Sequence, residues 1–207
     1  MCRSLLKKTS NTLSPQKTGE RKKLKTKIAV LLTATLIVSM MFTSMSMLML
    51  AHAQSVPSPS WRTKTSMPTA RGQAAVITGD DGLIYAMGGF AGGASFSTVE
   101  AYNPLTDAWT AKAAMPQVTR GAAVAKAPNG IIYVIGGFSG GALSTVQAYN
   151  TTSNTWSTKT AIPTGVWMAS AATGNDGKIY VIGGEPLGGG FINETQIYDP
   201  SSDSWTT

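Results

Sequence analysis

Residues 109–155 read WTAKAAMPQVTRGAAVAKAPNGIIYVIGGFSGGALSTVQAYNTTSNT, and the chain says nearly the same thing once before and once after. The earlier copy, 61–108, is WRTKTSMPTARGQAAVITGDDGLIYAMGGFAGGASFSTVEAYNPLTDA. The later copy, 156–204, is WSTKTAIPTGVWMASAATGNDGKIYVIGGEPLGGGFINETQIYDPSSDS. Trp61, Trp109, Trp156 and Trp205 are thus separated by 48, 47 and 49 residues. Such a period marks a supersecondary unit that buries its core by stacking on copies of itself. Landmarks recur in register. A Pro follows each Trp after seven residues (Pro68, Pro116, Pro163), and a Tyr follows that Pro after seventeen (Tyr85, Tyr133, Tyr180). Glycine pairs come next: Gly88-Gly89, Gly136-Gly137 and Gly183-Gly184. A second Tyr (Tyr102, Tyr149, Tyr198) precedes the next Trp by seven residues. Only the stretch from glycine pair to second Tyr varies, the Tyr standing 13, 12 and 14 positions after the second glycine.

Each copy holds four short runs rich in Val, Ile, Tyr, Ala and Thr, bounded by turn residues. In the first copy they are predicted near 72–78, 83–88, 97–103 and 108–113. Asp80-Asp81-Gly82, Asn129-Gly130 and Asn175-Asp176-Gly177 suit tight hairpins, because Gly, and less freely Asn or Asp, accept positive φ. Asn103-Pro104 and Asp199-Pro200 end the third run, since proline cannot donate to a ladder. No apolar period of 3.6 residues persists after residue 54, so this part is predicted all-β.

Paired glycines after an apolar strand, followed by a spaced Tyr and Trp, resemble the kelch repeat. That repeat is one four-stranded blade of a β-propeller. The resemblance covers residues 61–207 and implies blades at about 71–116, 120–163 and 167–207. It implies structural roles for Gly88, Gly89, Gly136, Gly137, Gly183 and Gly184, as close-packing backbone. It implies the same for Tyr102, Tyr149 and Tyr198 and for Trp109, Trp156 and Trp205, which pack between blades. No helix follows the glycines, which argues against a phosphate cradle.

The formal net charge is +7. Its distribution matters more than its size. Residues 1–27 hold nine Lys or Arg against Glu20 alone, and after Ala53 eight basic side chains face nine acidic ones. The basic character belongs to a targeting segment, and nucleic-acid binding is not expected. Residues 28–51 carry no charge, and Ala51-His52-Ala53 before Gln54 fits a signal-peptidase site cutting between Ala53 and Gln54. The apolar stretch also suffices for an uncleaved anchor, needing about 20 residues. Either way residues 1–27 stay cytoplasmic, 28–53 form a signal peptide or signal-anchor helix, and the repeats go outside. The expected location is secreted, or membrane-anchored facing outward. QSVPSPS, 54–60, is a Pro/Ser linker.

The one Cys, Cys2, and the one His, His52, both lie in the targeting segment. The exported part therefore offers no disulfide, thiol nucleophile, His-based triad or usual zinc site. Galactose oxidase also carries kelch blades, but its copper site needs His and Cys. No metal or other cofactor is expected here.

Kelch proteins often bind partners on the face shared by the post-glycine loops and the inter-blade links. Phe90, Phe138 and Glu185, each just after a glycine pair, are binding candidates. Arg71, Arg120 and Trp167, shortly after the inter-blade Pro, form a second group. They suit an anion-facing ring, with Trp167 able to stack on a sugar. Arg71 is three residues after its Pro and Arg120 four, so a bulge is needed if both face one way. The acidic turns read as plain turns rather than calcium sites, because one turn supplies too few oxygens. Asn150-Thr151-Thr152 and Asn193-Glu194-Thr195 match the glycan acceptor pattern.

A propeller typically needs 4–8 blades, and three blades leave the ring incomplete. Either the chain is part of a longer reading frame, or two chains join as a homodimer closing a six-bladed ring. The expected function is an extracellular binding module for a protein or glycan partner. The alternatives are a sugar-converting enzyme of the sialic-acid epimerase type, using Arg71, Arg120 and Glu185, or a structural or adhesion part of a larger surface protein.

Overall fold

The computed structural model describes residues 15–51 and 60–207. The chain divides into two units, 1–62 and 63–207. The first carries one helix, α1 (Pro15–Ala51). It begins well before the uncharged stretch, because Lys, Arg and Leu are good helix formers and Pro suits a first helical position. Its segment Lys22–Met41, with mean hydropathy 1.6, is long and apolar enough to cross a membrane. That is compatible with a signal sequence or an anchor. The cleavage site expected at Ala53-Gln54, the linker before Ser60 and residues 1–14 lie outside the described residues.

The second unit is built of strands, as the turn chemistry and absent helical period predict. The first copy contains β1 (Ala75–Thr78), β2 (Ile84–Met87), β3 (Phe90–Ala91), β4 (Ala94–Ser95), β5 (Val99–Asn103) and β6 (Ala108–Lys112). The second contains β7 (Ala123–Lys126), β8 (Ile132–Ile135), β9 (Val146–Asn150) and β10 (Thr155–Lys159). The third contains β11 (Val166–Trp167), β12 (Ser170–Thr173), β13 (Ile179–Ile182), β14 (Glu185–Pro186), β15 (Thr195–Asp199) and β16 (Ser204–Thr206). Three antiparallel four-stranded sheets result: β1-β2-β5-β6, β7-β8-β9-β10 and β12-β13-β15-β16. This is the blade-like, all-β architecture expected of kelch repeats. The inner strands β1, β7 and β12 neighbour one another in that order.

Packing explains why β8, IYVI, shows no polar alternation. Tyr133 and Ile135 enter one apolar cluster with Val146, Ile179, Val181 and Tyr198 of the second and third sheets. Ile132 and Val134 enter another with Tyr85, Met87 and Val99 of the first. A middle sheet is covered on both faces, so both faces of its strand are apolar.

The first strand of each copy starts later than its composition suggests. Gln73, Gly121 and Met168 adopt left-handed φ of 55°, 57° and 56°. They break the strand and turn its backbone sideways. The Gly121 amide donates to Gln73 O (2.9 Å) and the Met168 amide to Gly121 O (2.8 Å), linking one copy to the next.

The glycine pairs lie where neighbouring copies approach most closely. A Cβ on Gly136 would sit 2.3 Å from Val166 O, and one on Gly88 2.5 Å from Thr119 O. Both glycines also have positive φ, +64° and +65°. Sterics and backbone conformation exclude a side chain at either position.

Candidate functional site

Each sheet has two chemically different ends. The turns β1–β2 and β5–β6, with their counterparts, lie at one end, as the pairing Thr78↔Ile84↔Tyr102 shows. The glycine pairs lie at the other.

A three-atom clamp recurs beside the turns. The Tyr102 hydroxyl donates to Asp107 Oδ1 (2.6 Å), and that oxygen accepts the Thr65 amide (3.0 Å). The Trp109 indole donates to Thr65 O (2.9 Å). Tyr149, Asn154 and Trp156 hold Ala113 in the same way. Tyr198, Asp203 and Trp205 hold Thr160. Within each clamp Tyr and Trp stand opposite one another in register. Their ring centroids are 5.1, 4.7 and 5.0 Å apart. The clamped residue is always the fourth after the preceding Trp. Asp107, Asn154 and Asp203 take φ of 55°, 53° and 48°, a conformation Asp and Asn tolerate. The Tyr102 hydroxyl bond, aided by the Thr65 amide, holds the Asp107 carboxyl below its usual range. The Tyr198 hydroxyl does the same to Asp203. Tyr102 is pushed up to about 12, first by its bond to Asp107 and then by burial. These aromatics are occupied by the chain itself.

Bridges across the loops set the register at the glycine-pair end. Gly72 pairs with Phe90, Arg120 with Phe138, and Trp167 with Glu185. The equivalent positions are therefore Gly72, Arg120 and Trp167, each four residues after its Pro. This corrects the expected series. Arg71 lies one position earlier, in register with the buried Thr119 and Val166. No bulge restores it, and its side chain turns inward, shielded from solvent. Its Nη1 lies 2.7 Å from Glu100 Oε2, and its guanidinium also donates to Thr69 O and Ala86 O. Glu100 additionally accepts the Thr69 hydroxyl (2.8 Å). In the other copies Gln147 and Gln196 take the place of Glu100, each bonding both backbone polar groups of one residue, Gln117 or Thr164. Arg71 is thus a buried strut. It is withdrawn as a binding residue and from any sugar-converting group with Arg120 and Glu185.

Arg120 has different surroundings. Its Cζ lies 4.1 Å over the Phe90 ring and 4.7 Å over Phe138. Trp167 packs on Phe138 at 5.1 Å. Glu185 stands beside Trp167 across the β11–β14 pairing. Five of the six expected binding residues therefore gather in one partly exposed cluster. Exposed Leu187 and Phe191 follow in the third copy's loop. Among the described residues no carboxylate pairs with Arg120, and its buried Nε, like that of Arg71, has no hydrogen-bond partner.

The turn end carries its own clefts, including one of about 370 Å³ lined by Asp80, Asp81, Asn129, Asn150, Thr151 and Thr152. Its polar groups are largely spoken for. Asp81 accepts the Leu83 amide and the Tyr85 hydroxyl, and Asp80 pairs with Lys126. Asp176 repeats the first arrangement with Lys178 and Tyr180. No group of three metal-ligating side chains occurs among the described residues. Of the glycan acceptors, Asn150 turns its Oδ1 to the Thr152 and Ser153 amides, while Asn193 is exposed.

Sequence reasoning passed over two sets of residues. One is Asp107, Asn154 and Asp203. The other is Glu100, Gln147 and Gln196. Both were visible as polar positions repeating at fixed distance from the second Tyr, five after it and two before it.

Comparison with known proteins agrees with the architecture. Two kelch motif descriptions match the chain, one at residues 72–116 and 120–160, the other at 166–207. No curated protein matches it. Among solved structures it is similar to one described as a novel fungal alcohol oxidase with catalytic diversity among the AA5 family, in complex with copper. The TM-score is 0.56 at 19% identity, over 71% of this chain and 32% of that one. The chain thus spans about a third of that structure, and the likeness concerns fold alone. With the motif matched along most of its length, the chain belongs to the kelch-repeat family.

Proposed function

We propose that the chain is an extracellular kelch-repeat binding module that engages a protein or glycan through the loops at the glycine-pair end. The observation that carries this is the cluster of Phe90, Arg120, Phe138 and Trp167, with two rings under a guanidinium that lacks a carboxylate partner among the described residues, and a third ring packed on one of them, at a partly exposed surface. Burying aromatic area around one desolvated cation is how binding hot spots are commonly built. At the turn end, by contrast, the Tyr and Trp side chains serve the fold. The extracellular placement is supported by the apolar helix with basic residues before it.

The test is binding of the full chain, in detergent, to peptide and glycan arrays. Wild type is compared with Phe90→Ala, Trp167→Ala and Leu105→Ala, the last in an exposed turn at the other end. The cluster variants are expected to lose tenfold or more in signal while Leu105→Ala keeps it. Equal signal from all four proteins rules out the loop-end site.

A further inference from the structure

The two arginines of this unit show how the fold treats a guanidinium. Arg71 receives a carboxylate at 2.7 Å and two backbone carbonyls. Arg120, one register position on in the next copy, receives aromatic rings and, among the described residues, no oxygen at all. A partly buried cation without an acceptor is costly, and its remaining N–H donors form a fork matched to carboxylate geometry. We propose that Arg120 is the recognition point for a carboxylate side chain, Asp or Glu, presented edge-on by a protein partner. The inference rests on the loop-end reading and specifies its chemistry.

Three observations narrow the ligand. Among the described residues Arg120 is the only cation of its cluster, which suits a monoanion better than a phosphate dianion. The ring faces are already used. Arg120 covers Phe90 and Phe138, and Trp167 packs on Phe138, so a sugar finds little free aromatic face to stack on. Exposed Leu187 and Phe191 offer apolar contact suited to residues flanking an acidic side chain in a peptide.

The test follows the Arg120 guanidinium by NMR in the full chain in detergent micelles. Its signal is assigned by its loss in Arg120→Lys. The probes are N-acetyl-Gly-Glu-Gly amide, the same peptide with Gln, glucuronate and inorganic phosphate. A saturable shift is expected with the Glu peptide and none with the Gln peptide. Followed by the backbone amide signals of the loop end in both proteins, Arg120→Lys should bind the Glu peptide at least about tenfold more weakly than wild type, because an ammonium cannot form the bidentate fork. An equal response to the Gln peptide, or tighter binding of glucuronate or phosphate, overturns the proposal. If the Arg120 signal ignores every carboxylate while Phe90→Ala and Trp167→Ala still abolish array binding, the carboxylate assignment falls and the loop-end site stands. If array binding ignores those two variants, the loop-end site itself falls.

Discussion

Arg71 and Arg120 sit near the starts of consecutive inner strands, and the chain uses them in opposite ways. Arg71 is shielded and bound to Glu100, and Arg120 lies against Phe90 and Phe138 with no counter-charge among the described residues. The difference arises from one residue of register. Four positions after the inter-blade Pro, the chain reaches the edge of the loop cluster. Three positions after it, the side chain faces the interior beside β5. A single-residue step thus separates the packing region from the exposed region, and each obeys its own rule. Most packing positions, the glycine pairs and the paired Tyr and Trp among them, repeat in every copy, although the Arg71 position itself reads Arg, Thr and Val. Exposed positions change identity from Gly72 to Arg120 to Trp167.

The strongest way to break this division is to disturb the packing region where copies touch. Gly136→Val places a Cβ against Val166 O at a left-handed φ. Overpacking and backbone strain together should cost roughly 4–6 kcal/mol, read as a loss of cooperative urea unfolding near the wild-type midpoint. Gly140→Ala, also at a left-handed φ but with open space around it, should cost only about 1–2 kcal/mol. Comparable losses in the two variants would erase the distinction.

Next in size is the buried pair. Glu100→Ala leaves the buried Arg71 charged and without its carboxylate, at a cost of about 3–5 kcal/mol. The double change Arg71→Thr with Glu100→Gln imitates Thr119 and Gln147 of the second copy. It should recover all but about 1–2 kcal/mol, because replacing both partners removes the orphaned charge. A double variant no more stable than Glu100→Ala contradicts the account of this position.

A smaller effect comes from the clamps. Asp107 and Asp203 have folded pKa values below their unfolded ones, so their stabilisation is present above the unfolded value of about 4. It is lost as pH falls through the folded values. Asn154 in the middle clamp does not titrate. The Asp107→Asn, Asp203→Asn double variant should therefore show a flatter fall in urea midpoint between about pH 5 and pH 2. An acid slope identical to wild type would remove the carboxylates from the clamp.

Much of the fold was legible because packing positions recur. The glycine pairs, the Tyr and Trp and the hairpin turns each appear three times in register, so sequence alone isolates a blade. The site was legible only in part. Phe90, Arg120, Phe138, Trp167 and Glu185 could be singled out as candidates because they flank landmarks, and the structure brings them to one end of the sheets. Arg71 was misplaced because residue type was weighed above distance from Pro68. Counting four from each Pro reaches Gly72, which has no side chain to attract notice. The left-handed turn at Gln73, Gly121 and Met168 left no common residue type, because what it requires is a backbone hydrogen bond between copies.

The most direct measurement compares Arg71→Ala and Arg120→Ala by urea unfolding of the full chain in detergent, followed by tryptophan fluorescence. The account predicts that Arg71→Ala loses about 3–5 kcal/mol by stranding Glu100 and that Arg120→Ala stays within about 1 kcal/mol of wild type. Arg120→Ala as damaging as Arg71→Ala would place both arginines in the fold and leave the cluster without a ligand-facing cation.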